Sequence, residues 1–159
     1  MIRPATPDDR DAVVSIFLET VRSADSFAFD PNTDRAGGQA LWFAAGAAVY
    51  VADRGGTIAG SCFIKPNQPG LGDHIANAGI MVAQRFKGFG IGRALADFVI
   101  QEGRRLGYTG MQFNFVVVSN KPAVDLWLSV GFREAGRIPG AFRHPNRGPT
   151  DVLILFRSL

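Results

Sequence analysis

The chain has 159 residues, with 17 Lys and Arg against 14 Asp and Glu for a net charge of +3, which fits one domain able to bury roughly two-thirds of its unfolded surface. One cysteine, Cys62, excludes an intrachain disulfide and a cysteine cluster for metal, so no metal is expected and the reducing cytosol is the expected compartment. The charge is too scattered for a nucleic-acid stripe, residues 1–6 carry no apolar signal core, and the longest apolar run, 40–52, falls short of the roughly 20 residues that span a bilayer, so neither nucleic acid nor membrane is an expected partner.

Residues 2–5 read as a first strand. Thr6 then stands as a helix cap, with Pro7 in the first turn and Asp9 closing a Thr-x-x-Asp box. Ala12, Val13, Ile16, Phe17 and Val21 share one face of the helix that follows. After a polar interval with Ser23, Ser26, Asp30 and Pro31, a second helical pattern covers 34–43. Residues 49–52 and 57–64 flank the turn Asp53-Arg54-Gly55-Gly56 as a hairpin. A loop over 66–72 leads to a strand over 74–82, and the spacing of Ile91, Leu95, Phe98 and Val99 places a helix from Gly90 to about Leu106. A strand over 111–118 precedes a helix capped by Asn120 and ended by Gly131. Residues 132–138 and 151–157 supply the last two strands, separated by a loop over 139–150 rich in Gly, Pro and Arg. No repeat or linker interrupts this order, which is that of a single α/β domain over 1–159 with a mixed sheet.

The strand-to-helix turn, Val82-Ala83-Gln84-Arg85-Phe86-Lys87-Gly88-Phe89-Gly90-Ile91-Gly92-Arg93, carries the chemistry. Its glycines leave backbone N–H groups uncovered at a helix N-terminus, where unpaired donors and the positive end of the dipole attract an anion. A phosphate-bearing ligand follows; the alternative is a turn that merely lets a helix pack close to a sheet. A Walker A loop is excluded, because Gly92 is followed by Arg93 and Ala94 rather than by Lys and a hydroxyl. A dinucleotide fingerprint fails at Leu95, which stands where its third glycine belongs.

The segment resembles the acyl-CoA motif of the GNAT N-acetyltransferase superfamily, with Val82, Lys87, Gly90 and Gly92 in the motif positions. Lys87 departs from the usual Gln or Arg and keeps the charge without the planar fork. A second segment resembles the same family: Asn120, Ala123, an aromatic at Trp127, and the closing Gly131-Phe132. The resemblance implies a GNAT fold, a mixed sheet of about seven strands with helices on both faces, splayed between the fourth and fifth strands. It implies acetyl-CoA as co-substrate, its pyrophosphate against Lys87, Gly88, Phe89, Gly90, Ile91 and Gly92, with Arg93 adding a contact. The pantetheine arm would run along the main chain of Met81 and Val82, and Asn120 would reach it with its amide or serve only as a cap.

The implied reaction is direct attack of an amine on the thioester, with Val82 N–H as oxyanion donor. Trp127 stands where many members carry a Tyr acid, and an indole is no acid at neutral pH. His74 is the candidate base on the fourth strand, with solvent or a surface role for His74 as alternatives. Asn77 and Asn114, unusual in strands, are candidates for orienting the acceptor, or else for satisfying irregular backbone. Asn77, Asn114, Asn120 and Trp127 together resemble the branch that acetylates proline analogues such as azetidine-2-carboxylate, and residues 26–31 resemble the specificity loop of enzymes acetylating phosphinothricin. Both point to a small-molecule amine that is amino-acid-like. The competing functions are a non-catalytic acyl-CoA sensor and a protein N-acetyltransferase; a homodimer is the alternative to a monomer.

Overall fold

A computed structural model of the chain describes residues Met1–Leu159. The elements in chain order are β1 (Ile2–Pro4), α1 (Arg10–Arg22), α2 (Arg35–Trp42), β2 (Ala48–Arg54), β3 (Thr57–Pro66), β4 (Ile75–Val82), α3 (Ile91–Arg105), β5 (Gly110–Val117), α4 (Lys121–Ser129), β6 (Arg133–His144) and β7 (Gly148–Ser158). The seven strands form one sheet in the order β1-β2-β3-β4-β5-β7-β6. Only β4 and β5 run parallel.

Each face of the sheet buries its own core. On one, Leu95, Val99 and Ile100 of α3 and Trp127 of α4 pack on Cys62, Ile64, Ala76, Met111 and Phe113. On the other, Val13, Phe17 and Val21 of α1 and Trp42 of α2 pack on Val51 and Met81. The helical spacing of the apolar residues in α1 and α3 is what makes one stripe of each available for burial. No helix is long and apolar enough to cross a membrane.

Local signals explain most of the boundaries. Pro7 opens a one-turn 3-10 segment ahead of α1, and the Asp9 carboxylate accepts from Thr6 N–H at 2.7 Å and from Arg3 at 2.7 Å. Gly131, at φ +90°, ends α4, and Phe132 N–H reaches back to Trp127 O at 3.0 Å, the six-to-one bond of a Schellman motif. The expected loop over 139–150 is instead a hairpin: β6 runs on to His144 and β7 starts at Gly148. Pro139 and Gly140 read as loop residues, yet β6 is an edge strand whose register slips at 134/136 and 138/142, and an edge strand tolerates bulges and a missing N–H.

The site is positioned by how little β4 and β5 share. Their ladder consists of Ile75 with Gly110 and Ala76 with Met111. One step further, Asn77 Nδ2 donates to Gln112 O at 2.9 Å, a side chain replacing a main-chain rung. Beyond it the strands part, and β5 breaks register with β7 between Phe113 and Val116. The sheet therefore opens toward Val82 and the glycine turn.

Candidate functional site

β4 ends on Ala83 N–H, which donates to Ala59 O at 2.9 Å, and the chain then makes a single 3-10 turn over Gln84–Phe86. Glu19 of α1 fixes that turn by accepting Gln84 N–H at 2.9 Å. Lys87 is extended, Gly88 has φ +82°, and Gly90 caps α3 at φ +77°. Side chains are strained in that left-handed region, so the backbone itself asks for glycine at 88 and 90.

Gly92 has a different reason. Its φ is not left-handed, and a Cβ added there would meet only Leu126 Cδ2 and Val82 Cγ2, each at 3.8 Å. The fold would accept a side chain at 92; the space is kept by something other than packing. The first bond inside α3 runs from Ala94 N–H to Gly90 O at 3.0 Å, and no side chain caps the helix. The N–H groups of Ile91, Gly92 and Arg93 thus sit uncapped at the positive end of a 15-residue helix, beside the open end of the sheet. In the turn between β5 and α4, the Ser119 hydroxyl is buried with no partner in the protein. Three free N–H groups and an unfilled Gly92 fit a phosphate-bearing ligand.

The other expected contacts distribute unevenly around this cradle. Ile91 packs its side chain on the α3-side core and offers only its N–H. Arg93 is exposed and holds Asp97 through Nε at 2.9 Å, leaving its outer nitrogens available. Lys87 is exposed, and Phe89 is 65% exposed with the Arg54 guanidinium 5.8 Å from its ring centroid. Asn120 caps α4 by accepting Ala123 N–H on Oδ1 at 3.4 Å, which leaves its NH2 group without an intrachain acceptor.

Strand parity corrects the pantetheine wall. Asn67 N–H donates to Ile75 O, Ala83 N–H to Ala59 O, and the β3–β4 register is unbroken from Gly60/Val82 to Pro66/Ala76. Main-chain groups of odd-numbered β4 residues therefore point to β3 and those of Ala78, Ile80 and Val82 point into the opening. Met81 spends its main chain on β3 and buries its side chain at 3% exposure. Ile80 takes its place beside Val82, a choice that needs the register and has no signal in the sequence.

His74 lies outside this arrangement. It is exposed at the closed end of β4, its carbonyl accepting Thr109 N–H at 2.9 Å, and eight residue steps along the strand lead from it to Val82, on the order of 26 Å. Asn77 keeps Oδ1 free while Nδ2 binds Gln112 O. Asn114 is drawn into an amide chain, accepting from Gln112 Nε2 at 2.9 Å and donating to Asn67 Oδ1 at 2.7 Å. Neither Gln112 nor Asn67 stands out in the sequence, because only the fold brings the loop after β3 against β5. Trp127 is core, 4.2 Å from Phe113 and 5.3 Å from Phe132 between ring centroids.

The two phenols are elsewhere. Tyr50 donates to the buried Glu102 at 2.7 Å, and burial followed by that carboxylate pushes its pKa up to about 12. Glu102 also holds Arg105 at 2.6 Å, which keeps its carboxyl below the usual range. Tyr108, raised by burial, sits ahead of β5 at the closed end. The Cys62 thiol is fully buried and pushed up to about 12, which makes it no nucleophile.

Comparison with known proteins gives a consistent picture. Residues 13–132 match the model of the Acetyltransferase (GNAT) family. Over 87 residues, 55% of this chain, the sequence is 37% identical to N-acetyltransferase aca1 of Schizosaccharomyces pombe, covering 42% of that protein. The chain spans less than half the length of the curated relatives it matches. Among solved structures, a GCN5-related N-acetyltransferase from Kribbella flavida superposes with a TM-score of 0.94 at 37% identity, covering 100% of this chain and 97% of that one. Ribosomal-protein-alanine N-acetyltransferase from Brucella melitensis superposes at 0.87 and 26% identity, covering 100% and 99%.

Proposed function

Because the chain belongs to the GNAT acetyltransferase family, we propose that it transfers the acetyl group of acetyl-CoA to the amine of a small amino-acid-like substrate, residues 1–159 acting as one catalytic domain. The observation that carries this reading is the set of uncapped N–H groups at Ile91, Gly92 and Arg93 beside the opening between β4 and β5. The CoA pyrophosphate lies against them, with Lys87 and Arg93 adding charge. The pantetheine arm pairs with the main chain of Ile80 and Val82 as an added strand would, and Asn120 Nδ2 meets its amides.

The acceptor nitrogen attacks the thioester carbon as a neutral amine; the N–C bond forms, the C–S bond breaks, and CoA leaves as thiolate. Val82 N–H donates to the developing oxyanion. Neither β4 nor β5 contains a carboxylate or a tyrosine, so water takes the amine proton and returns one to the thiolate. Asn77 Oδ1, the free end of its amide, lies five residues of strand from Val82, roughly 16 Å, so it orients the acceptor by accepting from a donor away from the reacting nitrogen. The Asn77, Asn114, Asn120 and Trp127 set supports acceptors of the proline-analogue kind.

The Brucella neighbour's name favours a second reading, acetylation of a protein N-terminus. Melting curves with and without acetyl-CoA test the cofactor. Binding to the folded state adds about 2.7 kcal/mol at roughly a hundred times Kd. No shift with acetyl-CoA or CoA would overturn the site, and a shift without thiol release from any amine would leave a sensor.

A further inference from the structure

On the α1/α2 face of the sheet, two rows of side chains meet where β4 and β5 begin to part. The aromatic row runs from Phe29 to Phe27 at 5.8 Å, to Trp42 at 6.0 Å and to Phe63 at 5.0 Å between centroids. Phe63 stands opposite Gly79, and a Cβ at Gly79 would lie 2.5 Å from Phe63 Cε1, so the ring covers β4 itself. The polar row is the amide chain of Asn77, Gln112, Asn114 and Asn67.

Lys65 stands between the rows. Its register partner on β4 is Asn77, so the two side chains are neighbours on one face. Its Nζ lies 5.5 Å from the Phe63 ring centroid, and the residue is half-buried. Lys121 and Arg93, by contrast, each close a pair with an aspartate one helical turn away. Lys65 makes no ion pair, and the groups flanking it are an aromatic ring and neutral amides. An ammonium held in this way has its positive charge uncompensated on the wall of the acceptor chamber, where an arriving carboxylate supplies the missing partner.

We propose that Lys65 is the residue that selects the acceptor, binding the carboxylate of an amino or imino acid whose compact apolar body lies on Phe63 and Phe27 and whose amine is directed along β4 toward Val82. The proposal rests on the acetyl-transfer reading and narrows it to amines bearing a carboxylate close to the nitrogen. Lys65 Nζ lies by the Phe63 ring, and that ring covers Gly79, so the ammonium reaches from the level of Asn77 toward the open end of β4, and a carboxylate bound there carries its neighbouring amine toward Val82.

The test uses Lys65→Met, which keeps the length of the side chain without its charge, and Lys65→Arg, which restores a cation. Acetyl transfer to proline and to phosphinothricin is compared with transfer to their carboxamides, and calorimetric binding of the same four compounds to the CoA-loaded protein is the second readout. Lys65→Met raises KM, and the calorimetric Kd, for the acids by about tenfold or more, leaves the amides and the KM for acetyl-CoA unchanged, and is partly rescued by Lys65→Arg. Equal losses for acids and amides, or a wild-type protein that does not favour acids over amides in either readout, would overturn the role of Lys65. Failure of the acetyl-transfer reading shows separately, as absence of acetyl-CoA protection or of thiol release.

Discussion

Asn77 Nδ2 and Gln112 O, 2.9 Å apart, form the last link between β4 and β5 before the sheet opens. The link sits one residue past the two-rung ladder and leaves Asn77 Oδ1 without a partner. Asn77→Ala removes a brace and an acceptor-orienting group together. The expected result is a loss of about 1 kcal/mol in stability, with kcat/KM for the amine reduced while the KM for acetyl-CoA stays unchanged. Denaturant melts and steady-state kinetics check it; an equal rise in both KM values would place Asn77 outside the acceptor site.

Gly92→Val isolates the cofactor cradle from the fold. The Cβ of a side chain there meets nothing of the protein closer than 3.8 Å, so stability changes by less than about 1 kcal/mol. The methyls instead stand over the free N–H groups, and the KM for acetyl-CoA rises about tenfold or more. Gly90→Val is the contrasting variant, since φ +77° strains any side chain there and melting temperature falls with affinity.

Tyr50→Phe strips the buried Glu102 carboxylate of one donor and costs about 1.5 to 3 kcal/mol. The pH dependence has a definite sign. Tyr50 is raised to about 12 in the folded state, by burial first and by Glu102 next, so its contribution is complete below the ordinary phenol value of about 10 and is lost as pH rises through about 12. Melting temperatures of the two proteins should converge as pH climbs past about 10. A gap that stays constant would mean that Tyr50 ionises alike in both states.

Cys62 offers a probe of global unfolding. Fully buried, with its thiol pushed up to about 12, it should react with a disulfide reagent only when the molecule opens. Labelling rates are expected to follow the denaturant dependence of unfolding. Fast labelling in native buffer would contradict the packing of β3 under α3.

What could be read from the sequence was local. The glycine turn, the Asn120 cap and the Gly131 stop were legible because each is a property of a few consecutive residues, and all three are where they were expected. The parity of β4 was not, because whether Met81 or Ile80 faces the opening depends on which way β3 pairs. His74 was plausible as a base only while the closed and open ends of β4 were indistinguishable; the ladder at Ile75 and Ala76 puts it at the closed one. The β6–β7 hairpin was hidden by Pro139 and Gly140, loop signals that an edge strand and its bulges absorb. Lys65 and Asn67 gain meaning only from cross-strand neighbours.

Thiol release from acetyl-CoA across a panel of amines is the most direct measurement: proline, azetidine-2-carboxylate, phosphinothricin and a peptide with an N-terminal alanine, with N-acetyl product counted against free CoA. The expected result is one thiol per acetylated amine with at least one of the three small acids and none with the peptide. Acetyl-CoA binding without thiol release from any of them would contradict acetyl transfer, and release with the peptide alone would contradict the small amino-acid acceptor.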